Sequence, residues 1–166
     1  MIFTTVGTQL PFHRLIDVID IWSLEQDVRG CFAQIGNDGN PPQNMKFSNT
    51  LDPAQFANQI AKCKVVVSHA GIGTILTALQ YGKPIIVMPR LARYGEHRND
   101  HQLATVANLE GRAGIHVAHN EHDLKALLNK AHDLGTNTNV TSAAEPELIQ
   151  AIDSFIGARQ TGIIYA

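Results

Sequence analysis

The stretch Val65-Val66-Val67-Ser68-His69-Ala70-Gly71-Ile72-Gly73-Thr74 constrains the fold more than any other part of the chain. Three β-branched residues make a short, uninterrupted apolar run, the pattern of a strand buried on both faces. A polar pair, two glycines one residue apart and a hydroxyl follow. Ile75, Leu76 and Leu79 then fall at near-helical spacing until Gly82-Lys83-Pro84 ends the pattern. The stretch predicts a strand over 65–67, a glycine-rich turn, and a helix over 75–81. At such a turn the first helical amides have no partner inside the helix, and the dipole adds partial positive charge. Glycine lets a ligand approach the backbone closely, so the guest that fits is an anion, above all a phosphate. A purely structural βα turn carries the same Gly-x-Gly, and the motif alone leaves both readings open. No Gly-Lys-Ser or Gly-Lys-Thr follows, so this is not a Walker loop, and the third glycine of the dinucleotide fingerprint is missing.

The remaining pattern surrounds that unit with others like it. Residues 2–6, 31–35, 45–48, 85–88 and 114–117 read as strands. Helices are predicted after Pro11 (inner face Leu15, Ile16, Val18, Ile19, Trp22), after the Asp52-Pro53 cap, over 103–109, over 121–131 after Asn120, and over 146–156. Strands that are apolar runs without alternation, alternating with helices, predict an α/β fold. It is a Rossmann-like parallel sheet with helices on both faces, in one domain spanning 1–166. The segment 145–166 is a terminal helix and tail, apolar at its end, suited to docking on the body or on another chain. In such sheets ligands sit beyond the carboxyl ends of the strands, at the topological switch point. The loops there, 7–9, 36–42, 68–74 and 90–102, are the richest in glycine, hydroxyls and charge.

Composition narrows the function class. A net charge of −2 gives no footprint for nucleic acid. Cys31 and Cys63 lie in apolar surroundings and read as buried thiols rather than a disulfide or a zinc site. The N-terminus does not read as a signal peptide and no run reaches the length of a membrane span. The chain is expected in the cytoplasm, with any membrane attachment made through a partner or a surface helix.

Chemistry concentrates in three of the loops. Gly71, Ile72, Gly73 and Thr74 offer amides and a hydroxyl to a diphosphate. Ser68 and His69 stand at the strand tip, as ligand contacts or as hydrogen-bonded structure. Gly7, Thr8 and Gln9 form either a second anion cradle or a plain turn. The 90–102 segment holds three arginines (Arg90, Arg93, Arg98), two histidines, Glu96, Asn99 and Asp100. His97 and His101 stand four apart, as in a metal pair, but Glu96 precedes His97, so the His-Glu-x-x-His signature is absent. Neither a metal nor a cofactor is expected. Asp100, His101 and Gln102 suit sugar hydroxyls, and the arginines suit a phosphate or carboxylate.

Three ordered motifs, Ser-His-Ala-Gly-x-Gly-Thr, Gly-Lys-Pro-Ile-Ile-Val-Met-Pro and Asn-Asp-His-Gln-Leu-Ala, resemble the C-terminal donor-binding domain of glycosyltransferase family 28. The likeness runs over roughly 1–130. It is closest to the single-domain subunits of split transferases, the dolichol-linked N-acetylglucosaminyltransferase subunit and the PssE-type exopolysaccharide proteins. The opening Thr-Val-Gly-Thr-Gln with Phe12 and Leu15-Ile16 is similar to them too. The resemblance implies the C-terminal half of a GT-B fold that binds a UDP-sugar, with a membrane-anchored partner supplying the other half and the lipid-linked saccharide acceptor. It implies diphosphate contacts at Gly71 to Thr74, donor-sugar contacts at His101 and Gln102, and uracil contacts near Thr50 and Leu51. One departure stands out: the family's ribose-holding glutamate is Thr77 here.

Taken together, these features predict an inverting transfer from a UDP-sugar, with UDP-glucuronate raised as donor and Arg90, Arg93 or Arg98 as carboxylate partner. Glu96, His97, Asp100 and His13 are the candidate bases within the chain, although the base is expected from the partner. The alternatives are a non-catalytic nucleotide-sugar module that regulates a partner, and a UDP-sugar epimerase, for which the dinucleotide fingerprint is missing. Isolated chains are free to pair as homodimers.

Overall fold

The structure, a computed structural model, describes residues 1–134. Six strands form one sheet: β1 (Ile2–Thr5), β2 (Cys31–Gln34), β3 (Lys46–Ser48), β4 (Val65–His69), β5 (Ile85–Met88) and β6 (Ile115–Val117). Their spatial order is β3-β2-β1-β4-β5-β6, and every pairing is parallel. Five helices connect them: α1 (His13–Glu25), α2 (Pro53–Lys62), α3 (Ile72–Gln80), α4 (His101–Leu109) and α5 (Glu121–Asn129). This is the α/β Rossmann-like arrangement that the sequence predicts.

Because side chains alternate along a strand, the sheet feeds two cores. Ile2, Val65, Val67, Ile86 and Met88 pack on one face with Leu15, Ile19 and Trp22 of α1 and Leu124 and Leu128 of α5. Phe3, Val66, Ile85 and Val87 pack on the other with Ile60 of α2, Ile75 and Leu79 of α3, and Val106 and Leu109 of α4. Cys31 and Cys63 are buried free thiols, one in each core.

Local signals set the helix ends. Asp52 Oδ1 accepts the Gln55 amide while Gln55 Oε1 accepts the Asp52 amide, and Pro53 fills the first turn of α2. Asn120 Oδ1 accepts the Asp123 amide at the start of α5. Tertiary contacts then lock the elements. Trp22 Nε1 donates to Asn129 Oδ1, joining α1 to α5. The buried Asp20 carboxylate accepts the amides of Gln43 and Asn44 and the Asn44 side chain, pinning the loop before β3.

Several element ends differ from the sequence expectation, and three of the differences lie at the loops that matter. β4 runs on to His69 because its pairing with β5 continues to Met88. α3 begins at Ile72, with Gly71 as N-cap, so Ile72, Gly73 and Thr74 form its first turn rather than a loop before it. α4 begins at His101, and the polar segment before it contains a single 3-10 turn, Ala92–Tyr94. The expected helix over 146–156 and the tail lie outside the described residues.

Candidate functional site

The order β2-β1-β4-β5 places the chain's reversal between β1 and β4. From there the β1–α1 connection leaves toward one face and α3 toward the other, opening a crevice at the strands' carboxyl ends. A cleft of about 690 Å³ occupies that crevice. That volume suits a small organic ligand. Its walls come from the β1–α1 loop (Gly7, Thr8, Gln9, Leu10), the start of α3 (Gly71 to Thr74, and Thr77), the β3–α2 region (Leu51, Pro53, Phe56, Ala57) and the start of α4 (His101, Gln102, Thr105).

At the centre of the cleft stands the N-terminus of α3. No side chain caps it. The Gly71 amide bonds back to the His69 carbonyl at 2.8 Å, and the amides of Ile72, Gly73 and Thr74 follow in the first turn, where a helix leaves its N–H groups unpaired. A Cβ added to Gly73 would meet nothing within 4 Å, so open space lies over that turn.

His69 forms the floor between the two central loops. A Cβ at Gly7 would come within 2.6 Å of its Cε1, and one at Gly71 would overlap its Nε2. Both glycines therefore make room for one imidazole, and Gly7 also needs its positive φ of +78°. Burial, reinforced by the nearby Arg90 charge, lowers the His69 pKa to about 4, while a hydrogen bond with the Thr5 backbone opposes the shift. The imidazole is neutral at physiological pH. Ser68, beside it, is fully buried, and its hydroxyl donates to the His69 carbonyl.

The 90–102 segment is built on a buried guanidinium. Arg90 is 2% exposed. Its Nη1 donates to the carbonyls of Pro11 (2.6 Å) and Glu96 (3.1 Å), and its Nη2 to those of Val6 (2.8 Å) and Leu10 (2.5 Å). All four terminal N–H bonds are thus spent on backbone. The ring of Phe12 lies 4.9 Å from its Cζ. Burial lowers its pKa to about 10, with Glu96 acting against the shift, so it stays charged at neutral pH. Glu96 is equally committed: its carboxylate accepts Arg14 Nε at 2.7 Å, Arg14 Nη2 at 2.8 Å and the Leu91 amide at 2.9 Å. Asp100 Oδ1 accepts the Ala92 amide at 2.7 Å.

The structure therefore sorts the residues singled out from the sequence. Gly7, Thr8, Gln9, Leu51, His69, Gly71, Ile72, Gly73, Thr74, Thr77, Arg90, His97, His101 and Gln102 all line one cleft. Gln102 reaches it from a buried position, with Oε1 accepting the Arg90 amide. His97 and His101 meet edge to face, 4.4 Å between ring centres, and Asn99 Oδ1 contacts the His101 ring.

Thr50, Ser68, Arg93, Glu96, Arg98, Asn99, Asp100 and His13 are not part of the lining. The Glu96 carboxylate is taken up by Arg14 and the Leu91 amide, and the exposed Asp100 gives Oδ1 to the Ala92 amide. Arg90 has no terminal N–H free for a sugar carboxylate, and Arg93 lies over the Tyr94 ring at 4.9 Å. Arg98 is exposed and is not among the lining residues. His13 Nδ1 accepts the Asn40 amide, and the Thr50 carbonyl accepts the Ser48 hydroxyl. No group of three or more His, Cys, Asp or Glu side chains gathers into a metal-binding set among the described residues.

Several lining residues carry no motif. Phe56 looks like a core residue of α2, and its ring does pack edge-on against Phe3 at 5.5 Å, but it also borders the cleft. Gln34 and Thr5, whose side chains bond each other, reach the cleft from the strand ends. Tyr81 signals itself only as an aromatic left exposed at the end of α3.

Residues 1–153 match the family model described as the glycosyltransferase family 28 C-terminal domain. A UDP-N-acetylglucosamine–N-acetylmuramyl-(pentapeptide) pyrophosphoryl-undecaprenol N-acetylglucosamine transferase of Prochlorococcus marinus subsp. pastoris (strain CCMP1986 / NIES-2087 / MED4) is 34% identical over 121 residues, 70% of this chain and 30% of that protein. A protein of the same description from Prochlorococcus marinus strain MIT 9312 is 33% identical over 72 residues, 41% of this chain and 19% of that one. The chain thus spans less than a third of the length of these curated relatives. Among solved structures, the glycotransferase of kitacinnamycin superposes with a TM-score of 0.56 at 16% identity, covering 92% of this chain and 39% of that one. The calicheamicin glycosyltransferase CalG4 gives 0.55 at 14%, covering 95% and 43%. These two likenesses bear on the fold alone.

Proposed function

The chain belongs to the glycosyltransferase family 28 C-terminal domain family, and from that premise we propose that its cleft binds the UDP-sugar donor of a glycosyl transfer to a lipid-linked saccharide. One observation carries the reading: an uncapped nine-residue helix, α3, points its first turn into a cleft whose described lining contains no carboxylate. A diphosphate laid on the amides of Ile72, Gly73 and Thr74 gains the helix dipole and meets no negative side chain. Arg90, charged and buried beneath, adds positive potential without a direct bond. In this reading the nucleotide base lies toward Leu51 and Phe56 and the sugar toward His97, His101 and Gln102, a direction supported by the lining of the cleft from β3 across to the start of α4.

The chemistry is displacement at the anomeric carbon with inversion. The α3 amides hold the departing UDP and stabilise its charge as the bond breaks. Positioning of the sugar by His101 and Gln102 supplies much of the remainder. Of the candidate bases within the chain only His97 lines the cleft. We place the base, together with the acceptor site, on a membrane-anchored partner that supplies the rest of a GT-B enzyme, in exopolysaccharide or capsule synthesis. No helix among the described residues is long and apolar enough to cross a membrane; in this proposal the partner provides the anchor. A glucuronyl donor has less support from side chains than the sequence suggests, since the terminal N–H groups of Arg90 all bond to backbone and neither Arg93 nor Arg98 is among the lining residues.

Gly73→Ala tests the reading. Its new methyl group meets no atom within 4 Å, and alanine favours the helix by about 0.5–1 kcal/mol. It also projects where a phosphate must approach. Calorimetry should show UDP affinity reduced by about tenfold or more while thermal stability holds or rises. UDP binding unaffected by Gly73→Ala would place the anion elsewhere. Gln102→Ala should abolish transfer by the reconstituted pair and leave the complex assembled. Surviving transfer would favour a purely regulatory module.

A further inference from the structure

One turn past Gly73, the Thr77 hydroxyl borders the same cleft and donates its proton to the Gly73 carbonyl at 2.8 Å. With that proton engaged, Thr77 Oγ1 offers a ligand lone pairs only. Among the described residues no Asp or Glu lines the cleft, so no carboxylate is available to take two hydroxyl protons at once. On the nucleotide orientation given above, on which this inference rests, the pentose links the diphosphate at the start of α3 to the base near Leu51 and Phe56. That path runs along α3, past Thr77.

We propose that Thr77 reads the pentose as a single neutral acceptor, so that the site takes ribonucleoside and 2′-deoxyribonucleoside diphosphates with nearly equal affinity. The physical reason lies in what a missing hydroxyl leaves behind. A site rejects an analogue strongly when the lost group strands a buried polar atom. Thr77 is only partly buried, and its hydroxyl already has a partner in Gly73, so removing the 2′-hydroxyl strands nothing. A carboxylate at this position would accept from both hydroxyls of the diol through charge-assisted bonds and would lose one of them with the deoxy sugar.

Calorimetry of the full chain with UDP and with 2′-deoxyuridine diphosphate tests this. The two dissociation constants should differ by less than about fivefold, and in Thr77→Glu the preference for UDP should grow to about tenfold or more. A wild-type preference for UDP of about fivefold or more overturns the inference while leaving the nucleotide site standing. So does a folded Thr77→Glu chain whose preference stays at the wild-type value, since the pentose then does not pass Thr77. Should Thr77→Glu fail to fold, the wild-type ratio decides alone. Heat from neither ligand overturns the nucleotide site and this inference with it.

Discussion

His69 is held between two backbones that come close only because neither carries a side chain. Gly71→Ala should destabilise the fold by about 1–3 kcal/mol through overpacking against the imidazole. In a His69→Ala background that cost should shrink by about 1 kcal/mol or more, because the clash has a single origin. Gly7→Ala should be rescued less, since its φ of +78° remains unfavourable for alanine once the ring is gone. Urea denaturation of the singles and doubles checks both.

The same imidazole makes stability depend on pH. Unfolded, it titrates near 6.5; folded, near 4. Between these values the unfolded chain binds the extra proton, so stability is full above about pH 6.5 and falls as pH drops toward 4, by about 3 kcal/mol at most. His69→Ala should flatten that limb of the profile. A weaker slope should remain from His116, whose pKa burial also lowers. The sequence marks Gly71 and Gly73 as a pair serving the ligand. Only the structure separates their uses, because His69's fit depends on Gly7, far away in the chain.

At the scale of elements, the polar segment between β5 and α4 is held by bonds across 75 to 84 positions of sequence. Arg14 on α1 grips Glu96, and Arg90 grips the β1–α1 loop. Both side chains of the Arg14–Glu96 pair are largely buried, 12% and 8% exposed, so removing one partner strands a charge. Glu96→Ala should cost about 3 kcal/mol in a denaturation experiment, and Arg14→Met combined with Glu96→Leu should cost much less than the two singles added. Strand and helix identities along the chain were legible because periodicity and caps are local: Asp52-Pro53 and Asn120 announce α2 and α5. The roles of Glu96, Asp100 and Arg90 were not. A charged residue in a polar loop looks the same whether it faces a ligand or a distant carbonyl.

The described residues form a Rossmann-like parallel sheet, as their alternating elements predict, and its cleft gathers most of the residues that motifs singled out. The chain's match covers less than a third of the length of its curated relatives. Purified alone, the chain should bind UDP and transfer no sugar above background. Adding the partner proposed above to carry the acceptor site should give turnover, and a radiolabelled donor screen on the pair would identify the sugar. The bonds of Arg90 also bear on how this cleft can be rebuilt. Because a single guanidinium fastens the carbonyls of residues 6, 10 and 11 to that of residue 96, both walls share one anchor. A segment transplanted from a relative must leave Arg90 in place, whatever residue then stands at 96, because the bond there is to a backbone carbonyl. A graft that replaces Arg90 dismantles the opposite wall as well, and would be misread as a change of preference when it is a loss of shape.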